Sequence, residues 1–514
     1  MEIREVGVVG LGTMGAGIAE VFARAGLTVT AVEADQDALS RGMAILAGSL
    51  GRAVSRGKLT EDDYAQIIGR VRPAPTMSSL AGADLVIEVV PEQLAIKHAV
   101  IAELDKVCRP NAIIATNTSS LSVTTIAAGS AHPNRVVGMH FFNPAPVMRL
   151  VEVVTTVLTD PTAGQATTEL AGRLGKTPVQ VTDRAGFVAN ALLLPYLNHA
   201  VRLLESRYAT REDIDLAATA GIGLPMGPLA LLDLIGLDTS LAILEVLQHE
   251  FGGTRYTPAP LLRRLTAAGR TGRKSDGGFY DYPAPDSSEL PDGDQPQAPG
   301  TVTLIDPVAG PPDAAMAAHD WTAGPHSDRA AELASLFAAA GVNVTRNAAH
   351  PSDLTVVAIG PAGGVLASAV AAGRAAEAVG LHLVAPDLVE LVPSPLTSAG
   401  ALAAARALTA RLGLSVVRSA DRPGLLVGAL LYPHLRDAVL MVEDGYATPA
   451  DVDAAMTLGC GYRRGPMRML ADAGPSTVAE VLGAMHAGYG DPAFAPPPLL
   501  AECALAGLGG LGGV

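Results

Sequence analysis

The sequence predicts an α/β fold in which a doubly wound parallel sheet and an all-helical domain are followed by a reduced α/β domain and a second all-helical domain. Three observations support this prediction. Strand-like and helical segments alternate in the N-terminal part. A glycine-rich turn, GLGTMG, joins the first strand to the first helix. Residues 183–195, DRAGFVANALLLP, recur with changes 238 residues later as DRPGLLVGALLYP at 421–433.

The elements of the first sheet follow from short apolar runs bounded by turn residues. A long helical stretch runs from Asp35 to Arg70. From about Thr162 to Thr271 strand signals fade and apolar helical segments dominate, which predicts an all-helical domain. Further strands at 301–306 and 353–360 begin a shortened second sheet. The strands predicted for the first sheet are 3–9, 27–34, 83–90, 112–119 and 135–142.

These patterns predict the domain boundaries. The stretch at 283–300 is rich in proline, glycine and acidic residues and is typical of a linker. We expect a sheet domain at 1–182, a helical domain at 183–282, a reduced sheet domain at 301–420 and a second, degenerate helical domain at 421–514.

Composition excludes several classes of protein. Of the 514 residues, 49% are hydrophobic and 17% charged, which is typical of a globular chain. A net charge of −15 with no block of Lys or Arg argues against a nucleic-acid partner. The three cysteines lie far apart and fit a reducing cytosol better than a disulfide or zinc site. The sequence shows neither a signal peptide nor a membrane span, so we expect a cytoplasmic protein without a membrane partner.

The glycine-rich turn is a GxGxxG motif between a strand and a helix. Its first glycine permits the tight turn, its second lets a pyrophosphate approach the backbone, and its third lets helix and strand pack closely. Glu33 ends the second strand, where a carboxylate accepts the ribose hydroxyls and repels a 2′-phosphate. We therefore expect a Rossmann domain that binds NAD rather than NADP, although a glycine turn that binds nothing has the same pattern. The motif comprises Gly10, Leu11, Gly12, Thr13, Met14 and Gly15.

Polar residues near the ends of later strands are candidates for chemistry. His140 lies in GMHFFNP and Glu152 in LVEVV, and together they fit a base and the carboxylate that orients it. A packed core histidine and a surface glutamate are the alternative interpretation. Ser119 lies in NTSS after the fourth strand, where it fits a substrate contact or a helix cap. Asn190 lies in an apolar helix, where a buried amide needs partners.

Taken together, the motifs resemble the 3-hydroxyacyl-CoA dehydrogenase family, in its long form with a duplicated helical domain. The matching strings span residues 5–282 in order and are GLGTMGAG, VIEVVPEQLAIK, ATNTSSL, GMHFFNPAPVMRLVEVV, DRAGFVAN and GLPMGPLALLD. The resemblance implies reversible, NAD-dependent oxidation of an (S)-3-hydroxyacyl-CoA, of the 3-hydroxybutyryl or 3-hydroxyadipyl type, to the 3-ketoacyl-CoA.

The resemblance also implies roles for residues. It implies His140 as catalytic base, Glu152 as its partner, and Ser119 and Asn190 as substrate contacts. It implies NAD contacts, and Arg41, Arg52 and Arg56 as weaker candidates for coenzyme A phosphates. Two alternatives stay open: a dehydrogenase of a hydroxy acid without coenzyme A, and a non-catalytic NAD-binding protein. The implied NAD contacts beyond the glycine motif are Glu33, Glu92, Lys97, Ser119, Asn143 and Lys274.

The second half keeps only part of this pattern. His382 and Glu390 match His140 and Glu152, but Gly428 replaces Asn190 and no GxGxxG adjoins TVTLID. We interpret His382 and Glu390 as relics. The resemblance implies that the helical domains of single-copy relatives pair in a dimer, so we expect the two copies to form an intramolecular pseudo-dimer here, with a homodimer of whole chains left open.

Overall fold

The structure, a computed structural model, describes residues 3–282, 298–305, 326–346 and 354–511. The predicted linker at 283–300 lies almost wholly outside the described residues. Those residues form two compact units, and each unit draws on several stretches of the chain. The first unit comprises Met1–Leu193, Glu245–Gly252 and Met441–Met467, and the second comprises Leu194–Leu244, Gly253–Leu440 and Arg468–Val514.

The first unit contains an eight-stranded sheet with the order β3-β2-β1-β4-β5-β6-β7-β8. All neighbouring strands are parallel except β6 and β7. Five predicted strands are confirmed, with shorter bounds. The strands are β1 (Glu5–Val9), β2 (Thr28–Val32), β3 (Val71–Ala74), β4 (Leu85–Glu88), β5 (Ile113–Thr116), β6 (Val136–Phe141), β7 (Leu150–Thr155) and β8 (Thr177–Thr182).

Helices cover both faces of this sheet, as alternation of strands and helices requires. Asp35 caps α2 by accepting from the Ala38 N–H at 2.7 Å, and Thr60 and Asp63 form a capping box at α3. The helices are α1 (Thr13–Arg24), α2 (Gln36–Ser55), α3 (Glu61–Gly69), α4 (Leu94–Val107), α5 (Val123–Ala128) and α6 (Pro161–Arg173).

The region at 162–271 is helical as predicted, except for β8. The strand prediction failed there because TPVQVT is polar and pairs only at the sheet's edge, beside β7. A π-helical turn at Ala217–Ile222 follows the second of these helices. The helices are α7 (Ala189–Glu205), α8 (Arg211–Leu216), α9 (Pro228–Ile235), α10 (Leu237–Phe251), α11 (Gly253–Tyr256) and α12 (Pro260–Ala267).

The second unit contains a six-stranded sheet with the order β10-β9-β11-β12-β13-β14, in which only β12 and β13 are antiparallel. The two predicted strands at 301–306 and 353–360 are confirmed in their described residues. The strands are β9 (Thr301–Ile305), β10 (Asn343–Arg346), β11 (Leu354–Ala358), β12 (Ala378–Ala385), β13 (Leu388–Pro393) and β14 (Ser415–Arg418).

The remaining helices belong to the reduced sheet and to the C-terminal segment. Among the described helices, α16 alone is long and apolar enough to cross a membrane, with a mean hydropathy of 1.5, but 72% of that stretch is buried, as in a core helix. The helices are α13 (His326–Ala339), α14 (Val365–Ala371), α15 (Ala399–Arg411), α16 (Leu425–Glu443), α17 (Pro449–Gly459), α18 (Pro466–Ala473), α19 (Pro475–Tyr489) and α20 (Pro498–Leu505).

In each unit, the sheet contacts a helix of the helical copy that belongs to the other half of the sequence. In the first unit α17 contacts β7 and β8, so closely that a Cβ on Gly459 would lie 2.5 Å from the Leu150 side chain. In the second unit α8 contacts β14, and a Cβ on Gly221 would lie 3.3 Å from Leu388. Gly459 and Gly221 are 238 residues apart, as are Leu388 and Leu150, so the two contacts are equivalent.

Candidate active site

The glycine turn has the shape that a pyrophosphate requires. Gly10 has a φ of 94°, and a Cβ on Gly15 would lie 1.8 Å from the Gly10 carbonyl oxygen. A Cβ on Gly12 would meet nothing within 4 Å, so this residue faces open space. No side chain caps α1 at Gly12, which leaves the N–H groups of the first turn, at Thr13 and Met14, for an anion.

Glu33 follows β2, the strand next to β1, and binds the backbone of the glycine turn. Its carboxylate accepts a short hydrogen bond from the Leu11 N–H and another, at 3.0 Å, from the Ala34 N–H. The Leu11 side chain is buried and touches α2 at Gly42. Glu33 is therefore held beside the glycine turn, where a ribose of a bound dinucleotide would lie.

His140 and Glu152 lie directly opposite each other on β6 and β7, the antiparallel pair of the sheet. The distance from His140 Nδ1 to Glu152 Oε2 is 2.7 Å. Glu152 is fully buried, so its interpretation as a surface charge is wrong. The rings of Phe142 and Phe187 flank the imidazole at 4.5 and 5.6 Å between centroids. Because Nδ1 donates to the carboxylate, Nε2 is the nitrogen that can accept a proton.

The second oxygen of Glu152 holds the start of the next helix. Glu152 Oε1 accepts from the Val188 and Ala189 N–H groups, each at 3.0 Å. These N–H groups lie at the N-terminus of α7, where main-chain donors lack helical partners. This anchor also fixes Asn190, whose Nδ2 donates to the Ser119 carbonyl at 3.3 Å. The structure therefore brings His140, Glu152, Ser119 and Asn190 to one region of the first unit.

Glu92 organises the loop that carries Ser119. Its Oε1 accepts from the Ser119 N–H at 2.9 Å, and from Thr118 Oγ1 and the Ser120 N–H and Oγ at 2.7 to 3.1 Å. Burial alone would raise the pKa of Glu92, but Lys97 and these donors lower it below its ordinary value. Both main-chain groups of Ser119 are thus engaged, which leaves its hydroxyl for a ligand.

Lys97 lies underneath this loop and is only 1% exposed. Its Nζ lies 3.0 Å from both oxygens of Glu88 and 3.3 Å from Glu92 Oε2. Its cation is therefore satisfied by protein carboxylates, so the structure supports a positioning role for Lys97 more directly than a contact with NAD.

Sequence reasoning missed Glu88, the residue that makes this burial possible. Glu88 is the last residue of β4 and also accepts a short hydrogen bond from Thr116 Oγ1. Burial raises the pKa of Glu88 above its ordinary value, although Lys97 opposes the rise. The signal was present in VIEVV: a carboxylate inside an apolar strand needs a buried cation, and Lys97 follows nine residues later.

Two further predicted cofactor contacts stand apart from this network. Asn143 is exposed just beyond the end of β6, on the sheet edge that also carries the glycine turn and Ser119. Lys274 belongs to the second unit, where its Nζ pairs with Asp238 at 2.6 Å. Its contact with NAD stays a prediction. Among the described residues no cluster of His, Cys, Asp and Glu is arranged to hold a metal ion.

A Rossmann sheet with this turn, with a carboxylate directly after β2 and with an imidazole–carboxylate pair on β6 and β7, defines an NAD-dependent oxidoreductase. The family model for the 3-hydroxyacyl-CoA dehydrogenase NAD binding domain matches residues 5–184. The model for the C-terminal domain of the same family matches twice, at 186–282 and 424–512.

Relatives of known name match over different lengths. 3-Hydroxyadipyl-CoA dehydrogenase of Escherichia coli is 32% identical over 98% of both chains. 3-Hydroxybutyryl-CoA dehydrogenase of Mycobacterium tuberculosis is 48% identical over 54% of this chain and 99% of its own. A crystal structure of 3-hydroxybutyryl-CoA dehydrogenase from Escherichia coli superposes with a TM-score of 0.81, at 32% identity and over 99% of both chains. The chain belongs to the 3-hydroxyacyl-CoA dehydrogenase family.

Proposed function

We propose that this chain catalyses the reversible oxidation of an (S)-3-hydroxyacyl-CoA, of the 3-hydroxybutyryl or 3-hydroxyadipyl type, to the 3-ketoacyl-CoA. The observation that carries the proposal is the His140–Glu152 pair, buried on β6 and β7 of the sheet whose first strand leads into the glycine turn. The names of the full-length and half-length relatives support the substrate class.

NAD, when bound, supplies the acceptor for the hydride of the substrate carbon. His140 then acts as general base: its Nε2 takes the proton of the 3-hydroxyl group, and in the reverse direction returns it. Glu152 is already 2.7 Å from Nδ1, so its negative charge stabilises the imidazolium without further movement. The flanking Phe142 and Phe187 keep water away from this ion pair and strengthen it.

Ser119 and Asn190 orient the substrate in this proposal. The Ser119 hydroxyl is a hydrogen-bond donor for the substrate oxygen. Asn190 directly follows Ala189, whose N–H is bound by Glu152, and donates to the Ser119 carbonyl. Glu92 and Lys97 act through the loop at 118–120, since Glu92 fixes three successive residues of that loop and Lys97 fixes Glu92. Their correct placement accounts for part of the rate enhancement through orientation.

Coenzyme A phosphates have a candidate contact surface on α2. Arg41, Arg52 and Arg56 are all exposed, and their spacing places them on one face of that helix and its C-cap. Although the chain is strongly acidic overall, this face is locally basic and fits a phosphate ligand.

The test is a steady-state comparison of acetoacetyl-CoA with free acetoacetate, each with NADH. We expect turnover of the thioester and little turnover of the free acid. Equal turnover would favour the alternative, a dehydrogenase of a hydroxy acid without coenzyme A. NADH binding with no turnover of any acyl-CoA would favour a non-catalytic protein. A panel of acyl chain lengths, with and without an ω-carboxylate, then defines the substrate.

We also propose that the second half is a duplicated, non-catalytic copy that acts as a packing partner for the first helical domain. The contact between α7 and α16, where His199 Nε2 lies 3.0 Å from the Ala429 carbonyl oxygen, supports this role. A chain ending at Tyr282 would bare the apolar faces that the second copy covers, so we expect it to aggregate or to form a two-fold dimer. A monomeric, fully active truncated chain would contradict the packing role.

A further inference from the structure

We propose that a buried ion pair between Arg255 and Asp437 selects the pairing of the first helical copy with the second, against pairing of either copy with the same copy of another chain. This inference rests on the packing role proposed above and goes beyond it by naming what distinguishes the two partners. All the residues that carry it belong to the second unit.

Helices α7 and α16 are equivalent elements of the repeat and meet along an approximate two-fold axis. Tyr196 and His434 occupy equivalent positions, 238 residues apart, and their rings lie 5.1 Å apart between centroids. Contact between equivalent residues marks the axis, because a two-fold interface brings each such residue against its counterpart. A second contact joins the helices: His199 Nε2 lies 3.0 Å from the Ala429 carbonyl oxygen.

One turn further along, the two copies differ in charge. His199 and Asp437 are equivalent, and Arg255 and Ala493 are equivalent. Asp437 is 7% exposed and lies 2.5 Å from the Arg255 guanidinium of the other copy. On the opposite side of the axis, the His199 ring meets Phe494, at 6.0 Å between centroids. The carboxylate therefore faces a cation, and the imidazole faces an aromatic ring.

Pairing of two first copies, or of two second copies, would lose the ion pair between Arg255 and Asp437. Two first copies would place Arg255 against His199, with no carboxylate. Two second copies would place Asp437 against Ala493, with only its neighbour Arg436, at 3.2 Å, as cation. Burial raises the pKa of Asp437 although Arg255 and Arg436 oppose the rise, so the site disfavours an unpaired charge. Leaving one partner of a buried ion pair alone is strongly destabilising, so mismatched pairings are rejected.

The test uses full-length chains with two tags. Arg255→Asp and Asp437→Arg are co-expressed, purified through both tags and analysed by native mass spectrometry. Within each variant chain the two side chains repel. Between the two variants, however, the introduced aspartate meets the introduced arginine, and the unchanged Arg255 meets the unchanged Asp437. A cavity of about 60 Å³ beside the pair gives room for the longer side chain.

We expect the mixed dimer of the two variants to be at least about tenfold more abundant than the mixed species of two co-expressed wild-type chains. The chain carrying both Arg255→Asp and Asp437→Arg should return to the wild-type state. Arg264→Asp is the matched control, since Arg264 is exposed and pairs with Glu205 of its own copy. Equal amounts of mixed species in all pairs would overturn the selection, as would mixed variants that aggregate while the doubly substituted chain does not. Because the truncated chain tests packing separately, the two proposals fail independently.

Discussion

The two sheets contain the same histidine–glutamate pair in different surroundings. His382 Nδ1 lies 2.7 Å from Glu390 Oε2, the same distance as between His140 and Glu152. Glu390 Oε1 accepts from the Leu426 and Val427 N–H groups at 2.7 and 2.9 Å, just as Glu152 holds the start of α7. The pair therefore has a structural task in both halves: it anchors a long helix to an antiparallel strand pair.

What differs lies around the pair. Residues 142–149 join β6 to β7 and include Asn143, whereas only residues 386–387 join β12 to β13. Asn190 has Gly428 as its counterpart, where an added Cβ would lie 2.5 Å from the Tyr432 ring. An intact pair is thus insufficient evidence for an active site.

The largest expected effect separates the two histidines. His140→Ala should lower kcat by about two to four orders of magnitude, because the general base is lost, while NADH binding survives. His382→Ala is the matched control and should leave kcat nearly unchanged. Steady-state kinetics with acetoacetyl-CoA and NADH titrations measure both. Loss of turnover in His382→Ala would mean that the second half takes part in the chemistry.

Cofactor selection should depend on the first half alone. Glu33 repels a 2′-phosphate and loses its ribose hydrogen bonds with NADP, which together disfavour NADPH by a few kcal/mol, or about a hundredfold in kcat/KM. Glu33→Ala should narrow the ratio of kcat/KM for NADH and NADPH. Calorimetric titration should give one NADH per chain. Equal kcat/KM values for NADH and NADPH in the wild type would refute the role of Glu33. Two NADH sites per chain would show that the second sheet also binds the cofactor.

The two glutamates should separate catalysis from stability. Glu152→Gln and Glu390→Gln each weaken an anchor of two main-chain donors, so both should lower Tm, by an amount corresponding to about 1–3 kcal/mol of unfolding free energy. Only Glu152→Gln should also slow turnover, by about tenfold to a hundredfold, since it removes the charge that stabilises the imidazolium. Thermal unfolding and kcat measured on the same preparations test this. Equal losses of kcat in both variants would show that the effect is structural.

The sequence predicted those parts of the fold in which local pattern and burial agree. Strands such as β4 and β5 are buried on both faces and appear as continuous apolar runs. Strand β3 was missed because VRPA contains a proline and lies at the sheet edge. Composition does not indicate that β7 runs antiparallel to β6, since strand direction depends on the connection between the strands.

Only those residues of the candidate site that belong to a known sequence motif could be predicted. GxGxxG and Glu33 lie close in sequence and share known local geometry. For the Lys97–Glu88 pair the sequence contains a signal, a carboxylate in an apolar strand, but only the fold shows that Lys97 is the cation buried beside it. The ion pair between Arg255 and Asp437 joins residues 182 positions apart and becomes visible only when the two repeats are superposed on each other.

The smallest expected effect concerns His199, the counterpart of Asp437. Burial lowers the pKa of His199 to about 4, despite its hydrogen bond to Ala429 and the charge of Asp491. The unfolded chain therefore binds a proton near its ordinary pKa of about 6.5, while the folded chain resists it. The stability that depends on neutral His199 is complete above that value and is lost as the pH falls from about 6.5 towards about 4. His199→Gln keeps a donor for the Ala429 carbonyl and cannot titrate. The difference in Tm between wild type and variant should then be constant at neutral pH and shift against the wild type in the acidic window. If the difference in Tm between wild type and His199→Gln is the same at every pH, His199 is already hydrated in the folded chain. The environments of His199 and Asp437 would then differ less than the two side chains do.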